Sequence, residues 1–396
     1  MKKSNRCVVA LIAFALIVSS APAQAEDEGH EREGGPSVEL TWMSIANWYF
    51  KFGDLRIMMD GYFTRVPGKL FFGGGGGFKN TTAPFSVDVP MVLKVRYALD
   101  AGGSLDYVLA GHSHFDHSFD TATWSALTNA PIIGGLSTCL QAQAEGLPSS
   151  QCINVKGGER LWLSDDVTMR VVRWNHSGSH AANPEQHDPV ELKAPPIPDP
   201  VSGGLRAGVA EDFPNGGGGR MYLFTVGKGS HRLSFFVNNS ASAVDLTQDI
   251  VVDRVNYGAP LDNLRKAMAD ADLTSVDLWI GTGSVAVAEL VVPVLHPRNY
   301  IPNHWDGLFN PFLPGLPFPY PDAKLKAYLD AQGIALLPQT QYFDKYRLDR
   351  DGVTKVPNTA QKQKLGFADV QPFSVASVLS SATVSSSRDT TDECSQ

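Results

Sequence analysis

The run Leu105-Asp106-Tyr107-Val108-Leu109-Ala110, followed at once by Gly111-His112-Ser113-His114-Phe115-Asp116-His117, decides how this chain is read. The first part is short and apolar, as a buried strand is. The second places four groups that can ligate a metal within six residues. In extended backbone, residues two apart point to the same side, so His112 and His114 can address one cation. Asp116 and His117 enter the following turn and face an adjacent position. Neutral imidazole with carboxylate suits zinc, manganese or iron better than calcium, which prefers an all-oxygen shell. A strand end is also where α/β proteins place their chemistry.

Working outward, the 396 residues hold 43% apolar and only 19% charged side chains, enough to bury a large core. A net charge of -8 disfavours a general nucleic-acid binder, because nothing would neutralise phosphates along a duplex. Alternating apolar and polar residues predict antiparallel strands over 38–43, 47–52 and 54–61. Further strands are expected at Pro131–Gly134, Glu159–Leu163, Val167–Trp174, Arg220–Val226, Arg232–Val237, Val276–Ile280 and Ala335–Pro338. Helices are expected at 90–99, 119–128, 259–271, 284–295 and 321–332. Between strands, Ala181–Gly219 carries seven Pro and seven Gly and reads as an inserted loop, with Gly216–Gly219 as its hinge. Gly73–Gly77 lacks the Lys-Ser/Thr ending of a phosphate cradle and reads as a flexible flap. Both loops are expected to border the cleft.

The His112-x-His114-x-Asp116-His117 run resembles the signature of the metallo-β-lactamase superfamily, and the resemblance extends from about Val38 to Phe343. It implies an α/β (α+β) fold, a four-layer αββα sandwich with a metal site at one edge of the sheets. Arg173-Trp174-Asn175-His176-Ser177 ends an alternating strand as the family's third histidine motif does. Pro302-Asn303-His304-Trp305 resembles the final histidine motif of its phospholipase-D and sugar-phosphate-lactonase branches. Carried over, His112, His114 and His176 are the ligands of a first metal, and Asp116, His117 and His304 those of a second. His296 is the fallback ligand. Zn2+ is the expected cofactor, as one or two ions, with Mn2+ or Fe2+ as alternatives.

The chain departs from the family where a strand usually ends in a metal-bridging aspartate: Leu233–Val237 is followed by Asn238-Asn239-Ser240. A neutral amide binds a dication less well than a carboxylate, so the second site is expected to be weaker, with Asn239→Asp tightening it. Asn239 is a ligand or a hydrogen-bonding support, and Asp245 a distant substitute. A second departure is Ser44-Ile45-Ala46-Asn47, where lactonase-like branches carry Gly-His. Asp60-Gly61 resembles the superfamily's early aspartate turn, which supports the histidine loop. Trp305, His180 and His187 are candidates for substrate contact, and His231 is expected to face water.

At the N-terminus, Lys2, Lys3 and Arg6 precede twelve apolar residues, Cys7–Val18, and then Ala23-Gln24-Ala25. This predicts a signal peptide over 1–25, cleaved near Ala25, since twelve residues are too few to span a hydrocarbon layer ~30 Å thick. The protein is therefore expected to be secreted or periplasmic, with no stable membrane anchor. A flexible leader over 26–37, a catalytic domain over 38–366 and a Ser/Thr-rich tail over 367–396 complete the organisation. Cys139 and Cys152 can close a disulfide in an oxidising compartment, and Cys394 is left over in the tail.

The expected activity is that of a secreted metal-dependent hydrolase acting on a small molecule through metal-activated water, with a second metal stabilising the developing charge or, with only one metal, Asp116 orienting or accepting the proton. Esters, lactones and phosphodiesters are the expected substrates, with β-lactams as an alternative. A mononuclear iron oxygenase of sulfur compounds and a degenerate metal-binding protein are the competing readings.

Overall fold

The computed structural model describes residues 35–68, 82–99, 104–176, 187–208 and 211–367. The signal peptide, the flap Gly73–Gly77, His180, and the tail with Cys394 lie outside the described residues.

The strands, in chain order, are β1 (Val38–Trp42), β2 (Trp48–Phe52), β3 (Leu55–Met59), β4 (Pro84–Phe85), β5 (Tyr107–Leu109), β6 (Ile132–Gly134), β7 (Cys152–Asn154), β8 (Arg160–Trp162), β9 (Val167–Arg173) and β10 (Leu205–Arg206). They continue with β11 (Arg220–Val226), β12 (Leu233–Val237), β13 (Val251–Val252), β14 (Val255–Asn256), β15 (Leu278–Gly281), β16 (Asn299–Pro302), β17 (Ala335–Leu336), β18 (Asp344–Asp349) and β19 (Gly352–Val356). Among the described residues, one eight-stranded sheet runs β19-β18-β1-β2-β3-β5-β6-β7 and one seven-stranded sheet runs β17-β16-β15-β12-β11-β9-β8.

Strand periodicity explains why two sheets stack. In β11, Tyr222, Phe224 and Val226 join the inner core, while Met221 and Leu223 point to the outer one. In β12, Phe235 and Val237 face inward and Phe236 outward, the period-two alternation of a sheet buried on both faces. Phe50 and Phe52 of the first sheet meet Phe224 and Phe235 of the second, which welds the inner layer. Helices α1 (Val89–Leu99), α2 (Phe115–Ser118), α3 (Thr121–Thr128) and α4 (Leu136–Ala144) belong to the first half. In the second half, α5 (Pro260–Asp270), α6 (Val285–Leu295) and α7 (Ala323–Ala331) cover the outer face through Leu261, Leu264, Val291 and Leu325. A final helix, α8 (Thr359–Leu365), packs beside α1. The result is the αββα order of layers.

Several elements differ from expectation. The helix expected at 119–128 is α3, beginning at Thr121, and a short helix not expected, α2, precedes it within the ligand run; between them the Asp120 carboxylate accepts the backbone N–H groups of Phe63 and Thr64 at 2.6 and 2.9 Å. The segment around Cys139, for which no helix was expected, is α4, whose buried side includes Cys139, Leu140 and Ala142. Cys139 and Cys152 are disulfide-bonded, tying α4 to edge strand β7. The pair β18–β19 extends the first sheet beyond β1. Phe367, placed at the start of the tail, is buried against Phe312 and Tyr342.

Candidate metal centre

The ligands come together because β3, β5, β9, β12 and β16 all end at one side of the sandwich. Asp60 follows β3, the histidine run follows β5, and His176 follows β9. Asn239 follows β12, and His304 follows β16. Gly111 makes the close approach possible: a Cβ there would lie 1.8 Å from Asn239 Nδ2. Its N–H donates to Asp60 Oδ1 at 2.8 Å, and its carbonyl accepts from Arg220 N at 2.6 Å.

His112, His114 and His176 form one buried group whose ligand atoms all lie within 4.8 Å of one another. His112 Nε2 and His114 Nδ1 are 3.2 Å apart, and the His176 ring lies 4.9 and 4.4 Å from the two. Burial, then the neighbouring imidazoles, holds His112 and His114 well below the usual histidine range, so both are neutral. Neutral nitrogen lone pairs converging in a dry site repel one another unless a cation sits between them, so this donor set fits a metal.

Asp116, His117 and His304 form the second group within the same limit. Asp116 Oδ2 lies 3.0 Å from both His117 Nε2 and His304 Nε2, which are themselves 3.2 Å apart. Burial acts to raise the Asp116 carboxyl, but contact with His117 and His304 holds it well below the usual carboxylate range. Burial likewise opposes charge on His117, yet Asp116 and Asp60 push it up to about 10. This pocket favours positive charge, as a metal position requires. Asp60 Oδ2 takes His117 Nδ1 at 2.7 Å, which leaves Nε2 to face the group.

The two groups adjoin, with the His112 and His117 rings 4.0 Å apart. Asn239 lies behind that junction. Its Oδ1 is 3.3 Å from His112 Nδ1, while its Nδ2 donates to Asp60 Oδ2 at 2.9 Å and sits 3.0 Å from His117 Nδ1. Asn239 is therefore a support that touches one histidine from each group, and the choice left open by the sequence falls on hydrogen bonding.

The remaining candidates separate clearly. Buried His187 packs edge-on to His176 at 5.3 Å, next to the first group. Trp305 turns away to stack on Trp42 at 5.7 Å and donates to Gln339 Oε1, so it braces the core instead of reaching into the site. His296 caps α6 in a left-handed conformation and joins neither group, and His231 is exposed. Asp245 sits in a short turn outside both groups.

Sequence reasoning missed a clasp around His304. Its N–H donates to Ile45 O at 3.0 Å, and Ile45 N donates to buried Asp306 Oδ1 at 2.8 Å. Ser44, Ile45, Arg65 and His304 all have positive φ (99°, 46°, 54° and 57°), a conformation that costs energy and concentrates at functional sites. Residues more than 250 positions apart and backbone strain leave no local sequence signal for this.

The insert docks on the ligand loop: Ser113 Oγ donates to Pro214 O at 2.5 Å, and Gln141 Nε2 donates to both Ser113 O and Asp212 O at 2.8 Å. Its glycine run, expected as a hinge, forms a cage in the structure. Gly216, Gly217 and Gly218 all have positive φ and wrap the Arg220 guanidinium, whose Nη1 donates to Gly216 O and Gly218 O at 2.7 and 2.6 Å.

No family model matches the chain. Among curated proteins, it is 23% identical over 145 residues to a UPF0173 metal-dependent hydrolase from Pyrobaculum islandicum, a match covering 37% of this chain and 53% of that protein. A second, from Pyrobaculum neutrophilum, is 29% identical over 76 residues, 19% of this chain and 34% of that one. The chain thus spans about half the length, or less, of these relatives. Igni18, a metallo hydrolase from Ignicoccus hospitalis, aligns over 79% of this chain and 99% of its own at 13% identity and a TM-score of 0.45. YhfI from Bacillus subtilis, a metallo-β-lactamase fold protein, aligns over 78% and 98% at 11% identity and a TM-score of 0.40. Its layer order and ligand run are those that the resemblance to the metallo-β-lactamase superfamily implies, and over part of its length its sequence is similar to that of metal-dependent hydrolases.

Proposed function

We propose that the protein is a secreted metal-dependent hydrolase of a small ester, lactone or phosphodiester, working at two adjoining metal positions. The observation that carries this reading is the pair of ligand groups joined across His112 and His117, which lets two cations face one substrate. Zinc suits the imidazole-rich donor set, and manganese or iron can also be held. A cation bound there supplies Lewis acidity and lowers the pKa of water.

The chain's own residues do the rest. Asn239 Oδ1 holds His112 Nδ1, and Asp60 holds His117 Nδ1, so that each ring presents Nε2 inward. Asp116, shared between His117 and His304, is placed to orient or take the proton of the attacking water. The His304 side chain is 22% exposed, against 6% for Asp116 and 1% for His117, so the substrate approaches from the His304 side. Export after cleavage near Ala25 is part of the proposal, and the Cys139–Cys152 bond suits an oxidising compartment.

Metal quantification on the purified chain and on the double variant His112→Ala/His114→Ala tests the site, with the variant expected to lose metal. Unchanged metal content sinks the assignment. Profiling the metal-loaded protein on esters, lactones, phosphodiesters and β-lactams, with oxygen consumption followed in parallel, tests the reaction. Oxygen uptake without hydrolysis favours the oxygenase reading.

A further inference from the structure

We infer that Gln141 is a positioning residue that couples docking of the insert to metal binding at His112, His114 and His176. The inference rests on the metal-dependent reading and adds how that site is held in register with the chain around it. Ser137 and Gln141 lie one turn apart on α4, and so on one face of that helix. Both are polar yet almost inaccessible, at 0% and 2% exposure, where such side chains ordinarily face water. The stripe they form grips the described part of the insert at two places.

Ser137 holds its outgoing part. The Ser137 N–H and Oγ donate to Glu191 Oε2 at 3.2 and 2.8 Å, and Oγ accepts from Leu192 N at 2.9 Å. Gln141 holds the returning part and the ligand loop together. Its Nε2 donates to Asp212 O and to Ser113 O, both at 2.8 Å, and its Oε1 accepts from Ser118 Oγ at 2.8 Å. Ser113 stands between His112 and His114, and Ser118, next to His117, lies 3.1 Å from His114 O through its Oγ. One amide thus touches the ligand run near both of its ends. With both N–H groups and the carbonyl engaged, its orientation is fixed.

The grip continues into the insert. The Asp212 carboxylate accepts from Arg206 N at 2.7 Å and Arg206 Nε at 3.1 Å, and pairs with Nη2 at 2.5 Å. Gln141 is therefore the joint between a network that enters the ligand loop and one that enters β10. A cation that fixes the ligand loop fixes the Ser113 carbonyl and favours the docked insert. By linkage, the docked insert favours the cation to the same degree. Removing the amide takes a donor from two buried carbonyls and cuts this link.

The test uses the full-length protein, with zinc and after chelation, together with Gln141→Met and, as a control on the same helix, half-buried Gln143→Met. Trypsin cleavage is followed by mass spectrometry at Lys193–Ala194, beside the Ser137 grip, and at Arg206–Ala207, beside the Gln141 grip. Rates are referred to a free peptide, so that any effect of zinc on the protease cancels. Zinc is expected to slow cleavage at Arg206–Ala207 about tenfold in the wild type and in Gln143→Met, but less than about threefold in Gln141→Met, whose zinc affinity at the first group falls about tenfold. A merely structural role would speed cleavage equally with and without zinc, and that unchanged ratio overturns the coupling. Bound zinc that leaves wild-type cleavage unaltered overturns it too. Where Gln141→Met does not fold, Ser137→Ala is read in the same way at Lys193–Ala194. Wild-type protein that binds neither zinc, manganese nor iron overturns the metal-dependent reading and the coupling with it.

Discussion

Asn239 Nδ2 donates to Asp60 Oδ2 at 2.9 Å, joining residues 179 positions apart directly beneath the two ligand groups. This contact sets a cost on the substitution that the sequence reading expects to tighten the weaker position. An aspartate at 239 was expected to face the metals and strengthen the weaker position, but the amide here faces another carboxylate. Asn239→Asp sets two buried carboxylates against each other, and like charges that close cannot both ionise without cost. The expected outcome is a loss of about 2–4 kcal/mol in the metal-free chain at neutral pH, read by denaturant unfolding and smaller when metal is present. Unchanged metal-free stability contradicts the geometry.

Asp60→Asn tests the other arm of the same network. The variant weakens the hold on His117 Nδ1 and removes the charge that favours a cation beyond the ring. Metal affinity of the Asp116, His117 and His304 group is expected to fall about 10–100-fold, while the His112, His114 and His176 group changes less. Titration with a metal-sensitive dye that resolves two affinities checks this. Equal weakening at both positions speaks for general unfolding.

What the sequence could disclose is set by the range of the interactions involved. His112, His114, Asp116 and His117 were legible because their spacing alone decides which side each faces, and β11 was legible end to end because its alternation is a local signal. Helix α4 was missed because Thr138 and Gln141 are polar yet buried, and the Gln141 amide is satisfied by Ser113 O and Asp212 O, partners that no window of sequence contains. The clasp of Ile45 and Asp306 on His304, and the turn of Asn239 toward Asp60, depend on chain segments that only folding brings together. The histidine motif therefore announced the ligands but not what holds them.

The glycine cage gives a third prediction. A Cβ on Gly217 (φ +74°) would lie 2.3 Å from Glu191 Oε1 and 2.7 Å from Arg173 Nη2, whereas one on Gly203 (φ +70°) would meet nothing within 4 Å. Both alanine variants incur the left-handed backbone penalty of about 1–2 kcal/mol, but only Gly217→Ala also displaces a buried ion pair. Arg220 with Glu191 is that pair, at 3.1 Å. Gly217→Ala is expected to cost about 1–3 kcal/mol more than Gly203→Ala, measured as the difference in urea unfolding free energy. Equal costs would mean that the run is a loose hinge after all.

Asp344 supplies a pH test far from the metals. Its buried carboxylate meets Lys355 Nζ at 2.5 Å and Lys362 Nζ at 2.8 Å, and it accepts from the Thr340 backbone at 2.6 Å. Burial acts to raise this carboxyl, but Lys355 and Lys362 hold it below its ordinary value. A depressed folded-state pKa gives stability that is complete above the unfolded value, about 4, and is lost as pH falls through the folded value. Asp344→Asn removes that contribution and takes one carboxylate away from Lys362, which is only 5% exposed. At pH 7 the variant is expected to be about 3–5 kcal/mol less stable. As pH is lowered below about 4, the wild-type chain should lose stability faster than the variant, so the two curves converge. Parallel curves across that acid range would show that Asp344 does not hold its charge in the folded chain.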